Sequence, residues 1–108
     1  MKECYILLRA GNNARKVKVK SYKTIKYQEL TFHLVHIIKS WYYVEEKTGM
    51  MACKRFYNTR KEAESNIDDN LDALFRFLHA KPEYYKGMQK MLENAEEVDY
   101  DTLRQIRK

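Results

Sequence analysis

Residues 41–78 read WYYVEEKTGMMACKRFYNTRKEAESNIDDNLDALFRFL, an aromatic hairpin running into an amphipathic helix. In the second half, Ala63, Ile67, Leu71, Leu74, Phe75 and Leu78 fall at steps of four, four, three, one and three, which stacks them on one face of a 3.6-residue period. Thr59-Arg60-Lys61-Glu62 has the form of a capping box, in which the Thr59 hydroxyl accepts the Glu62 amide and the Glu62 carboxylate reaches back to the Thr59 amide. Pro82 pushes Lys81 out of the helical region, so the spacing predicts one long helix over 59–80. In the first half, 42–46 and 50–57 are rich in aromatic and strand-compatible residues. Between them lies Lys47-Thr48-Gly49, where Gly49 takes positive φ without steric cost.

Upstream, 4–9 reads as a first strand closed by the turn-prone Gly11-Asn12-Asn13. In 15–20 strict alternation puts Val17 and Val19 on one face and the lysines on the other, as in a half-buried strand. In 30–38 both faces are largely apolar, as a central strand covered on both sides requires. Lys39-Ser40 is the expected turn into Trp41. There, Trp41 and Tyr43 share one face and Tyr42 and Val44 the other, so a helix covering one face would leave one aromatic pair exposed. Downstream, Pro82 opens a second helix with Tyr84, Tyr85, Met88, Met91, Leu92 and Ala95 at helical spacing. Asp99 or Asp101 then caps a short last helix carrying Leu103 and Ile106.

The expected architecture is a single α+β domain over 1–108. An antiparallel sheet of four or five strands packs on one long helix, with two shorter C-terminal helices. Residues 1–57 form its basic β-rich part, 59–80 the long helix and 82–108 the remainder. A chain of 108 residues buries roughly 60 to 70% of its unfolded surface, enough for a core without staples. Cys4 and Cys53 match no metal or redox spacing and read as small buried hydrophobes in a reducing compartment. No apolar run suits a signal peptide or a membrane span, which points to a cytoplasmic protein.

Charge is distributed unevenly. Residues 1–64 hold 14 Lys and Arg against 6 Asp and Glu, whereas 65–108 hold 7 against 9. A localised positive field gathers phosphate, so nucleic acid or a nucleoprotein is the expected partner. The candidate contacts are Lys16, Lys18, Lys20, Lys23, Lys54 and Arg55, with Lys26 continuing the row and Tyr22 and Tyr27 interleaved for stacking. Trp41 and Tyr43 are the candidate aromatic anchors. The same lysines would equally serve a solvated face or protect a strand edge. His33 and His36 point to opposite faces of a strand and cannot share one ion, so they read as structural. Asp68, Asp69 and Asp72 read as a solvated helix face, with an Asp72–Arg76 pair at i,i+4. Gly-rich phosphate loops, nucleophile elbows and CxxC pairs are missing, so the sequence predicts a non-enzymatic protein without metal or cofactor.

The order Trp41-x-x-Val44-x-Glu46-x-Thr48-Gly49, then Thr59-Arg60-Lys61-Glu62-Ala63, preceded by 30–36, resembles the tryptophan-bearing hairpin and helix start of many small phage and mobile-element proteins. The likeness covers residues 30–80. Anti-CRISPR proteins are among them, and the resemblance implies stoichiometric inhibition by docking on an effector such as a CRISPR complex. It supplies no active-site residues. The alternative is a protein-only interaction module, or a homodimer, using the aromatic hairpin or the Tyr84 to Leu92 stripe.

Overall fold

Alternation along the strands decides which side of each sheet is buried, and here it produces two sheets rather than one. The computed structural model describes residues 2–10, 13–52 and 57–101, apart from the side chains of residues 10 and 68–70. Strand β1 (Glu3–Ala10) pairs antiparallel with β2 (Asn13–Lys20). Next come β3 (Lys23–Tyr27), β4 (Leu30–Ile37) and β5 (Ser40–Glu45), an antiparallel meander that forms the second sheet. Helices α1 (Arg60–Ser65), α2 (Ile67–Ala80) and α3 (Pro82–Asn94) follow. A short β6 (Glu96–Val98) then joins the first sheet, parallel to β2, giving the order β1-β2-β6.

The expected single sheet of four or five strands is thus two three-stranded sheets. The chain changes sheet at Ser21 and Tyr22: the Ser21 amide donates to the Lys2 carbonyl, extending the first ladder, and the Tyr22 amide donates to the Leu34 carbonyl, beginning the second. Cys4, Ile6, Val17 and Val19 of the first sheet meet Val35, Ile37, Tyr42 and Val44 of the second. The other face of the second sheet, with Leu30, Phe32, Leu34 and Tyr43, packs against Ala63, Leu71 and Leu78. The layers run first sheet, second sheet, then α1 and α2, while α3 returns to the first sheet, where the Glu93 carbonyl at its end accepts from Lys16. Strand β4 is covered on both sides, as its two apolar faces require.

The 59–80 segment is two helices, not one. Thr59 caps the first by accepting the Glu62 amide at 3.1 Å. At Asn66 the side-chain amide takes the Glu62 carbonyl at 2.8 Å, the acceptor that its own backbone N–H would use in a continuous helix. That N–H turns to Ala63 instead. Ser65 likewise donates to the Lys61 carbonyl. Such local side-chain bonds compete with the helical ladder and end it.

Two turns fix the second sheet. After β5, the fully buried Glu45 folds back on its own turn. One carboxylate oxygen accepts the Thr48 amide at 3.1 Å and hydroxyl at 2.9 Å; the other accepts the Lys47 amide at 3.0 Å and the Tyr85 hydroxyl at 3.4 Å. A buried carboxylate is tolerated when its lone pairs are met in this way. Gly49 sits there at φ +69°, and a Cβ would lie 2.7 Å from the Leu7 backbone nitrogen, so only glycine fits. The return strand expected over 50–57 appears as bridges at Met51 and Tyr57, with 53–56 outside the described residues.

Between β4 and β5 the turn is Ile38-Lys39, one residue earlier than expected, with φ of +43° and +67°. Two positive φ values suit the right-handed twist of a tight hairpin, but a β-branched residue rarely adopts one. Ile38 is held by packing on the inter-sheet core and by its amide donating to the Tyr100 hydroxyl at 3.2 Å.

Residues 96–98 are strand; 100 and 101, the last described, are helical where the last helix is expected, and its Leu103 and Ile106 lie outside the described residues. No helix among the described residues is long and apolar enough to cross a membrane.

Candidate functional site

With Val17 and Val19 turned inward, β2 presents Lys16, Lys18 and Lys20 on the outer face of the first sheet. Alternate side chains on a strand stand about 7 Å apart, comparable to successive phosphates of an extended nucleic-acid strand. Tyr5, directly opposite Lys18, lies beneath the row. The Lys16 and Lys18 ammonium groups are 5.0 and 5.7 Å from its ring centroid. Its hydroxyl donates to Glu97 of β6 at 2.9 Å, and this bond holds the phenol proton above its ordinary range.

The three lysines are not equivalent. Lys16 is half-buried and donates to the Glu93 carbonyl at 3.4 Å, whereas Lys18 and Lys20 are exposed and carry no ion pair among the described residues. Lys20 reaches over Tyr22, 4.5 Å from the ring centroid.

Tyr22 carries the surface round to the second sheet. Its ring meets Trp41 edge-on at 5.0 Å, and Trp41 lies flat on His36 at 4.2 Å with planes 5° apart. Trp41 is fixed from behind by reciprocal backbone bonds with Tyr57. His36 and Trp41 face each other because the tight 38–39 turn sets that register. Tyr5, Lys18 and Lys20 thus lead to a cluster of three rings, Tyr22, Trp41 and His36, and together they form the candidate strip.

Other predicted contacts are elsewhere. Lys23 and Lys26 project from opposite faces of β3, so the row does not continue along that strand. Lys23 is drawn to Glu64, 4.0 Å away on α1. Tyr27 packs edge-on against Phe75 and donates to Asp72 at 2.6 Å. Tyr43 does not serve as an exposed anchor: both faces of its sheet are covered. Its hydroxyl, pushed up to about 12 chiefly by burial, donates to the Ala63 carbonyl. Lys54, Arg55 and Cys53 lie outside the described residues.

Beneath the strip, at the turn between sheets, the Ser21 hydroxyl is hydrogen-bonded to His33 Nδ1 at 2.7 Å, and His33 Nε2 lies 3.5 Å from Glu46. Serine, histidine and acid in sequence suggest a nucleophile. However, His33 is fully buried, and Ser21 is nearly so and also donates to the Lys23 carbonyl, leaving a substrate no approach to its oxygen. Burial holds His33 below its ordinary value of 6.5, against the opposing pull of Glu46. Burial, with Glu46, pushes the Cys4 thiol up to about 12, far from a reactive thiolate. Asp72 is paired with Arg76 at 2.8 Å, while the Asp68 and Asp69 side chains are outside those described. Among the described residues no cluster of three or more His, Cys, Asp or Glu is arranged to hold a metal ion.

On the helical side, a cavity of about 310 Å³ lies between Leu30, Phe75, Leu78 and Pro82, with Lys47 and Tyr85 at its wall. It shares no residue with the strip. Along α3, Met88 and Leu92 are buried, so the predicted stripe packs inward; Tyr84 alone of its aromatic residues stays open, edge-on to Phe77 at 5.3 Å.

Compared with known proteins, the chain matches no family model, no curated protein and no solved structure. The strip therefore rests on its own geometry. Sequence reasoning missed Tyr5 and His36 as members. A signal was present: a two-residue turn fixes register, so a turn at 38–39 pairs His36 with Trp41, and Ala10 opposite Asn13 pairs Tyr5 with Lys18.

Proposed function

We propose that this chain is a non-catalytic binding protein for nucleic acid, free or within a nucleoprotein, which it meets with the outer face of β2 and the aromatic turn beyond it. The observation that carries the reading is the pair Lys18 and Lys20, exposed and without an ion pair among the described residues, each with a tyrosine ring beneath its ammonium group. Such lysines neutralise phosphates and release counterions, while neighbouring rings accept bases. The ring contacts also hold the lysine stems in place, so less side-chain freedom is lost on binding.

The test is the anisotropy of a labelled oligonucleotide titrated with protein over a range of salt. Lys18→Ala/Lys20→Ala should bind at least tenfold more weakly at low salt, with a log–log salt slope shallower by about 2. Its unfolding free energy should stay within about 0.5 kcal/mol of the parent, because both side chains are at the surface. A parent protein that binds no oligonucleotide at low salt, or a double variant that binds as well as the parent, refutes the proposal.

A second reading has its own observation. Phe77 and Tyr84 are 39% and 38% exposed at the junction of α2 and α3, with Lys81 4.9 Å over the Phe77 ring. Exposed aromatic residues beside a cation are the material of protein hot spots, a second copy of the chain included. That reading predicts association insensitive to salt and abolished by Phe77→Ala.

A further inference from the structure

We infer that the strip takes single-stranded nucleic acid, and that the ring receiving an unpaired base is His36 rather than Trp41. This rests on the nucleic-acid reading and adds to it the class of strand and the residue that reads it.

Trp41 is the residue that sequence singles out as a stacking platform, yet its ring is already in use. One face is covered by His36 at 4.2 Å, Tyr22 abuts it at 5.0 Å, and it packs against the helical core. A base could reach it only by displacing the imidazole. His36, by contrast, is exposed, with Trp41 behind one face and the Tyr22 edge 6.4 Å to its side. Among the described residues, no other ring lies against it. The next layer of the stack is therefore a planar group lying on His36, giving the order base, imidazole, indole.

Three features favour a base in that place. The platform is rigid before binding, because the 38–39 turn and the Tyr57 backbone bonds set both rings, so little freedom is lost on stacking. The charge needed for the flanking phosphate is adjacent: Lys20 extends over Tyr22, the ring that abuts the stack. The class of strand follows from access. A paired base has both faces occupied by its neighbours in the helix, whereas an unpaired base offers a π-face whatever its identity. A platform at the end of a lysine row thus selects single strands with little regard to sequence.

The experiment uses the full chain with a labelled mixed-sequence DNA strand and the duplex of the same sequence, both followed by anisotropy. Fluorescence of Trp41, the only tryptophan, reports on the stack. The parent should bind the single strand roughly tenfold more tightly than the duplex, the scale of one stacked base. Trp41 emission should change with the strand and not with the duplex. His36→Ala should lose that preference through weaker binding of the single strand, and His36→Phe should restore it. Equal binding of strand and duplex by the parent, or a preference that survives in His36→Ala, overturns the inference. If Lys18→Ala/Lys20→Ala still loses binding in that event, the broader nucleic-acid reading stands. A parent that binds neither probe removes both.

Discussion

Strands β2 and β4 are each eight residues long and end up with opposite duties. In β4, LTFHLVHI, seven of the eight side chains are buried or half-buried, because one sheet face meets the first sheet and the other meets the helices. In β2, NARKVKVK, Val17 and Val19 alone are fully buried, and lysines occupy the outer face. One strand is spent on cohesion, the other on presentation. The difference teaches where to look for function: a face that alternation frees from the core can carry charge at almost no cost to stability, whereas a doubly covered strand cannot change without consequence.

The contrast breaks first in β4. Phe32, wholly buried, should cost about 3 to 5 kcal/mol of unfolding free energy when changed to Ala, read from urea denaturation. A loss under 1 kcal/mol would mean that the second sheet is not the core. His33 on the same strand should make the fold acid-sensitive. Its proton affinity is lowered in the folded state, so the unfolded chain binds the proton first and stability falls as pH drops below about 6.5. One group contributes at most about 1.4 kcal/mol per pH unit. Denaturation midpoints measured between pH 7 and 5 should decline in the parent and flatten in His33→Gln. The smallest effect has the opposite sign: Lys39, exposed at φ +67°, should stabilise the protein by roughly 0.5 to 1 kcal/mol when changed to Gly, seen as a higher melting temperature.

Much of this was legible in the chain. Two apolar faces marked β4 as a central strand, alternation marked β2, Thr59 announced its cap, and Pro82 began a helix where expected. The break at Asn66 was hidden because the apolar spacing runs through it undisturbed; competition for the Glu62 carbonyl leaves no trace in periodicity. Strand β6 is three residues long, too few to show a period, and its partner is distant in sequence. Tyr43 and Trp41 looked alike on paper. Only the covering of both faces separates a core tyrosine from a rim tryptophan, and which face a layer covers is a property of the whole fold.

The parallel seam between Arg15 and Glu96 has a bearing on how the molecule comes into being. During synthesis β1 and β2 leave the ribosome early, but the strand that lies along the other side of β2 is made after nearly everything else described. The second sheet and its helices can condense from neighbours in the chain, whereas the first must wait, its flank open, until a remote segment arrives; closing so wide a loop is slow. Charged side chains such as the lysines of β2 are the usual means by which a strand with an open flank is kept from pairing with another chain.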